Sequence, residues 1–243
     1  MPEDYRKKLF DEYLETSYKH GNILTTKQFQ MASEAYTIDY QGIMPEDTEA
    51  VILDFGCGTG DFLYHLKQKG YKNFYGVDIS PQQVEYCRQH ITDRVEKVNG
   101  MDFLKGKQGV YDLIAAHDVL EHIPKEQTLE FLHLSKEALK KNGTLIIRVP
   151  NMSNPFGLDA RYNDMTHEIG FTSKSLNQAL EISGFKDIRI LSPREIPVRS
   201  FPNLVRKILV KILHAALRFC FYIQDYTVPK NLDKNLVAAA KKG

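Results

Sequence analysis

The sequence predicts an α/β fold in which an open, mostly parallel sheet is covered by helices on both faces. Three features carry this. Short apolar runs alternate with helical patterns from residue 50 to residue 149. The first run, Val51-Ile-Leu-Asp-Phe55, breaks into Gly56-Cys-Gly-Thr-Gly60, as a strand does where it turns sharply into a helix. An acid, Asp78, ends the second run about 20 residues after that turn.

The elements follow in order. Tyr5, Leu9, Phe10, Tyr13 and Leu14 recur at helical spacing, so residues 4–35 are read as helices. Residues 1–47 are taken as an N-terminal helical cap on a main domain, 48–243, with Pro45-Glu-Asp-Thr48 as the polar break. Strands are expected at 50–55, 73–77, 95–98, 111–116 and 143–149, and helices at 60–69, 82–90 and 126–140. Ser80-Pro81 supplies an N-cap and a first-turn proline. Asn142-Gly143 reads as a helix stop. Residues 150–172 form an irregular stretch too polar for a core, read as a substrate loop insert. A helix at 173–183 and a strand at 186–191 follow. A helical pattern at 203–222 lies inside a basic amphipathic insert, 198–225, before a last strand at Asn235-Leu-Val-Ala-Ala239.

A chain of 243 residues holds one large domain, or one domain with appendages. The net charge of +1 gives no global field toward nucleic acid, which is excluded as a partner. Cys57, Cys87 and Cys220 are widely spaced without a CxxC pair, so neither a disulfide framework nor a metal site is expected. A reducing, cytoplasmic location fits. The N-terminus is charged and lacks an apolar signal core, and no uncharged apolar run approaches membrane-spanning length.

The glycine spacing is Gly56-x-Gly58-x-Gly60. A dinucleotide fingerprint needs its third glycine at Asp61, so the spacing points to a different adenosine ligand. Asp78 is placed to accept hydrogen bonds from ribose hydroxyls, or else is an acid at a helix N-terminus. In Asn99-Gly-Met-Asp102-Phe103, Asp102 suits the adenine amine, with Met101 or Phe103 against the ring and Ile79 over its other face. Taken alone, Met101 and Phe103 are equally core residues.

These segments resemble the class I S-adenosylmethionine-dependent methyltransferases. The likeness rests on Asp54–Gly60 (DFGCGTG), Tyr75–Ser80 (YGVDIS), Asn99–Phe103 (NGMDF), Tyr111–Ile123 (YDLIAAHDVLEHI) and Leu139–Asn151 (LKKNGTLIIRVPN), over about residues 48–192. It implies a Rossmann-like sheet of seven strands, six parallel and the last inserted antiparallel. It further implies S-adenosylmethionine as cofactor and S-adenosylhomocysteine as product. Asp54 would help hold the methionine ammonium, Gly56, Cys57, Gly58 and Gly60 would line the methionine and ribose, and the backbone near Ala116 and His117 would take the methionyl part.

Methyl transfer to a neutral nucleophile needs a group that removes a proton, and histidine suits that near neutral pH. His122, beside Glu121, follows the fourth strand, and His167 lies in the insert with Arg161, Tyr162, Asp164 and Glu168. Both fall on the face where strands end, and either is a candidate base, Asp164 or Glu168 being able to orient His167. The stretch Arg161–Phe185 resembles a subgroup of bacterial methyltransferases of surface-polysaccharide biosynthesis. That implies O-methylation of a sugar or phosphosugar. A small-molecule methyltransferase acting on a quinone or natural product, and a non-catalytic cofactor-binding regulatory module, are the alternatives.

Between Val198 and Phe219 stand Arg199, Arg206, Lys207, Lys211 and Arg218 and no acid. Lys207, Lys211, His214 and Arg218 share one stripe, and apolar residues cover much of the rest. The pattern fits a helix packed on the domain or across a homodimer, or one lying on an anionic membrane.

Overall fold

The computed structural model describes residues 5–18, 25–191 and 200–243. Residues 1–4 and 19–24 of the expected N-terminal cap, and Val198 and Arg199 of the basic insert, lie outside the described residues. The strands are β1 (Val51–Phe55), β2 (Asn73–Asp78), β3 (Val95–Lys97), β4 (Tyr111–His117), β5 (Leu139–Pro150), β6 (Lys186–Leu191) and β7 (Asn235–Lys241). They form one seven-stranded sheet in the order β3-β2-β1-β4-β5-β7-β6. β1 to β5 pair in parallel, and β7 lies antiparallel between β5 and β6. The fold is therefore the expected Rossmann-like α/β sheet.

The α-helices are α1 (Tyr5–Asp11), α2 (Thr26–Asp39), α3 (Asp61–Gln68), α4 (Pro81–His90), α5 (Gly100–Leu104), α6 (Thr128–Ala138), α7 (Gly157–Tyr162), α8 (Ser173–Ile182) and α9 (Phe201–Ile223). Alternate strand residues feed opposite faces of the sheet. Leu53, Ile114, Leu145 and Ile147 pack with Phe131 and Leu132 of α6 and Leu176 and Leu180 of α8. Ile52, Leu113, Ala115 and Ile146 pack on the other face with Phe29 and Tyr36 of α2 and Phe62 and Leu63 of α3. Thr25 starts α2 with a capping box closed by Gln28.

Three local expectations change. Asn142-Gly143 is not a helix stop: α6 has already ended at Ala138, and Asn142, at φ +62°, bends the chain inside β5. This bend accompanies a register shift between β4 and β5, and Asn142 N–H bonds the Lys242 carbonyl. The 150–172 stretch is less irregular and more buried than expected, since it contains α7 and buries Asn151, Thr166 and Phe171. Asn151 is held by its side-chain N–H groups to the Asn231 and Asp233 carbonyls, which satisfies a polar group inside the core. Short α5 was not expected either, because Asn99 caps it through Met101 and Asp102 N–H over only five residues.

The basic pattern forms α9, 23 residues long, which buries none of its residues. The helix adds nothing to the buried core, and its half-buried positions are Lys207, His214, Leu217 and Phe221. No described helix is long and apolar enough to cross a membrane.

Candidate cofactor and acceptor site

The strand order reverses between β1 and β4, and a crevice opens there beyond the strand ends. A cavity of about 760 Å³ fills it. At one end its wall carries Asp54, Gly56, Cys57, Gly58, Asp78, Ile79 and Met101; at the other, Glu121, His122, Asp164 and His167.

Backbone geometry builds the first end. Gly56 turns the chain at φ +72°, and a Cβ there would stand 2.4 Å from Val119 Cγ2. Gly58 N–H donates to Asp78 Oδ2 at 2.8 Å, and Ser80 N–H donates to Asp78 Oδ1 at 2.8 Å. These bonds fix the carboxylate and partly offset the burial that raises its pKa. Asp54 is buried, and its Oδ2 has no hydrogen-bond partner among the described residues. Burial pushes its carboxyl well above the usual range, with Asp61 and Asp78 adding to the rise. His117 Nδ1 is 4.0 Å from Asp54 Oδ1, too far to bond it. Burial, then Arg148, holds His117 neutral, stacked on Tyr40 and within 2.7 Å of the Tyr40 hydroxyl through Nε2. Burial likewise raises the Cys57 thiol.

An unpartnered buried acid and an oriented carboxylate beside close-packed glycines fit a ligand with a cationic amine and a ribose diol. S-adenosylmethionine is such a ligand. Its chemistry is a methyl group carried on a sulfonium.

Other expected contacts fall elsewhere. Gly60, at φ +88°, is off the wall: a Cβ there would meet Cys87 Sγ at 2.6 Å, so this glycine serves the approach of α3 to α4. Asp102 turns to Lys105 Nζ at 2.7 Å, an i,i+3 ion pair on α5, and does not line the cavity. Phe103 packs under Lys107, whose Nζ sits 4.2 Å from the ring centroid. Ala116 is buried behind the wall.

At the second end, the Glu121 carbonyl accepts N–H bonds from Glu168 (2.7 Å) and Ile169 (3.2 Å). This brings the 150–172 loop against the β4 loop. His122 and His167 meet with ring centroids 4.6 Å apart. His122 Nδ1 is 2.7 Å from Thr166 Oγ1, and Thr166 Oγ1 donates to Asp164 Oδ1 at 2.6 Å. Burial, then the neighbouring His167, lowers the His122 pKa to about 4. Burial would raise Asp164, but bonds from the Thr166 hydroxyl and N–H and from Tyr13 OH outweigh it and lower its pKa. Glu121 is among the residues lining the cavity, both its buried oxygens are unpartnered among the described residues, and burial raises its pKa well above the usual range.

Of the remaining expected acceptor residues, Arg161 and Glu168 are braces. Arg161 donates to the carbonyls of His167 (2.7 Å) and Glu168 (2.9 Å), and Glu168 Oε1 accepts from Arg6 at 2.5 Å. Tyr162 is 74% exposed and off the cavity wall. Sequence reasoning missed Arg6, Phe10 and Tyr13 of the N-terminal segment and Asp118 and Arg148, all on the wall. Of these, only Asp118 carried a signal, as the acid just past β4.

The comparisons agree with this geometry. A family model described as a methyltransferase domain matches residues 30–190, about two thirds of the chain. The chain is 25% identical over 135 residues to a methoxy mycolic acid synthase of Mycobacterium tuberculosis, a stretch covering 54% of this chain and 45% of that one. The chain thus spans about half the length of that curated relative. A methyltransferase from Archaeoglobus fulgidus, described as S-adenosylmethionine-dependent, has the same fold with a TM-score of 0.64 at 22% identity, covering 99% of this chain and 100% of that one. A magnesium protoporphyrin IX methyltransferase of Synechocystis, solved with bound S-adenosylmethionine, gives 0.56 at 15% identity, covering 98% and 97%. With two thirds of its length matched by the family model and the cavity in its expected place, the chain belongs to the class I S-adenosylmethionine-dependent methyltransferase domains.

Proposed function

We propose that this protein moves the methyl group of S-adenosylmethionine to a hydroxyl of a sugar or phosphosugar in glycan assembly. One observation carries the reading: a single cavity joins the Asp54 and Asp78 end to the paired imidazoles of His122 and His167. In this reading Asp54 takes the methionine ammonium and Asp78 the ribose hydroxyls. Ile79 and Met101 flank the adenine. His122 and His167 sit where the acceptor hydroxyl loses its proton, held there by the loop pinned to Glu121.

The acceptor end supports a polar substrate. Glu121, Gln127, Asp159, Asn163 and Asp164 line it, with Phe10 and Tyr13 as the apolar floor a sugar ring can stack on. A quinone would leave those acids unanswered. The α9 helix supports a second part of the reading, contact with an anionic membrane surface. Ile208, Leu209, Ile212 and Phe219 are exposed along one side, and Lys207, Lys211 and Arg218 form the basic stripe beside them. A lipid-linked glycan precursor would then meet the cavity at the membrane.

The test is S-adenosylhomocysteine release with acceptors grouped by class: free and nucleotide-linked sugars, polyprenyl-linked sugars, quinols, and small carboxylic acids. Turnover confined to sugars, with the product heavier by one methylene, supports the proposal. Preferred turnover of quinols or acids overturns the acceptor class. Tight S-adenosylhomocysteine binding with no turnover of any class supports a regulatory module instead.

A further inference from the structure

We infer that Glu121, His122 and His167 form a binding site for one divalent transition-metal cation at the acceptor end of the cavity. The three side chains bring one carboxylate oxygen and two ring nitrogens within 4.8 Å of one another. Two imidazoles and one carboxylate are a donor set suited to zinc, manganese, iron or cobalt, and they leave coordination positions open.

The hydrogen bonds around the imidazoles fix which nitrogen is free. The Thr166 hydroxyl gives its one proton to Asp164 Oδ1, so toward His122 it accepts, and His122 carries its proton on Nδ1. The Ala160 carbonyl has only lone pairs, so His167, 2.7 Å away through Nδ1, is also protonated there. In each neutral ring Nε2 is then the nitrogen with the lone pair. Outer partners of this kind are what orient metal-binding imidazoles.

Glu121 is the independent observation. It is 2% exposed, and neither carboxylate oxygen has a hydrogen-bond partner among the described residues. A buried carboxylate without partners is costly, and a bound cation removes the cost. The guanidinium groups that reach this wall are committed elsewhere, Arg6 to Glu168 and the His122 carbonyl, Arg148 to Asp118. The backbone clamp from the Glu121 carbonyl to Glu168 and Ile169 N–H sets the spacing of the donors.

The site stands on these contacts alone; its use in catalysis rests on the O-methylation reading. There, the acceptor hydroxyl occupies an open position on the cation and becomes more acidic. Its O–H bond breaks, with the proton passing to water in the cavity mouth. The oxygen then forms its bond to the methyl carbon as the carbon–sulfur bond breaks, and that electron pair stays on sulfur. The imidazoles act as ligands, not as proton acceptors.

The experiment uses untagged, chelator-treated and desalted protein titrated with cobalt(II), read by visible d–d absorption and by metal content after gel filtration. The expected result is one cobalt per chain with low-symmetry bands. Glu121→Gln and His167→Ala should each weaken binding by about 10-fold or more, and Thr166→Val, which removes only the outer partner, by about 10-fold. Circular dichroism and S-adenosylhomocysteine affinity confirm that each variant is folded. No stoichiometric binding overturns the site, and so does binding unchanged in both Glu121→Gln and His167→Ala. Undiminished turnover of a sugar acceptor by metal-free enzyme overturns the catalytic role. Cobalt binding without sugar turnover indicts the acceptor class and leaves the site standing.

Discussion

The Asp118 carboxylate meets the Arg148 guanidinium at 2.5 Å from a backbone held at φ +54°. Arg148 in turn reaches the Tyr36 hydroxyl at 3.3 Å, and Tyr36 donates to Asp61 Oδ2 at 2.7 Å. The pair therefore ties the β4 loop to α2 and to the first turn of α3 across the cofactor end.

This geometry makes a specific stability prediction. The left-handed backbone costs a residue with a Cβ roughly 1–2 kcal/mol, which glycine escapes. Asp118→Ala loses the ion pair and keeps the strain, whereas Asp118→Gly loses the pair and relieves it. Asp118→Gly is expected to be the more stable by about 1 kcal/mol in urea unfolding. Equal stabilities would mean that the positive φ is not maintained in solution.

Cofactor affinity should depend on Asp78 more than on Asp102. Asp78 is fixed by Gly58 and Ser80 N–H on the wall, and Asp102 is turned to Lys105. Hydrogen bonds to a charged group are worth about 1.5–3 kcal/mol, so Asp78→Ala should weaken S-adenosylhomocysteine binding about 10- to 100-fold. Asp102→Ala should change it less than about 3-fold. Calorimetric titration checks both, and a reversed order would return Asp102 to the adenine.

Acid should expose the buried His65. It sits between the Tyr36 and Phe62 rings with Nδ1 3.0 Å from Ser33 Oγ. Burial, with the Lys69 charge adding, lowers its pKa to about 4. The unfolded chain, with a histidine pKa of about 6.5, binds the proton more readily, so stability is fully present above that value and is lost as pH falls toward 4. At about 1.4 kcal/mol per unit, the loss amounts to roughly 3 kcal/mol. His65→Gln keeps a partner for Ser33 and does not titrate. Its stability deficit against the wild type should shrink as pH falls from about 7.5 to about 4.5. His122 titrates in both proteins and cancels, and loss of the His65 charge that lowers His117 adds to the same trend. A constant deficit across that range would refute the assignment.

For α9, the expected outcome is salt-sensitive sedimentation with vesicles rich in anionic lipid. Ile208→Asp with Ile212→Asp should abolish it. Lys211→Glu with Arg218→Glu should weaken it by about 1 kcal/mol per charge removed, and by more through the added acids. If the protein instead forms a dimer that the Ile208 and Ile212 changes dissolve, and vesicles do not bind it, the membrane reading fails.

How far the sequence could be read depends on where the information sits. Val51–Gly60 and Tyr75–Asp78 were legible because strand pattern, turn and acid are adjacent in the chain. The acceptor end was half legible. His122 and His167 stood out as residue types, but their meeting is made by Glu121 carbonyl bonds to Glu168 and Ile169 N–H, and main-chain bonding leaves no mark on side-chain identity. Phe10 and Tyr13 read only as helical spacing and Arg6 was not singled out, because nothing local tells which wall a helix will cover. Asp102 read as an adenine partner, and in the structure its carboxylate pairs with Lys105, three residues on. Asn142-Gly143 carried a true signal of left-handed backbone, and the error lay in assigning that bend to a helix end instead of to β5.

The same clamp bears on how such a site can change. Position 168 and position 169 hold the loop through N–H groups that every residue but proline possesses. The clamp that sets His167 against His122 is therefore insulated from the identity of the side chains at 168 and 169. Asp159, Ala160 and Asn163, which line this end of the cavity and whose side chains take no part in the clamp, are free to be exchanged for those suiting another substrate while the pair stays where it is. A library confined to those positions is the natural route to altered acceptor choice.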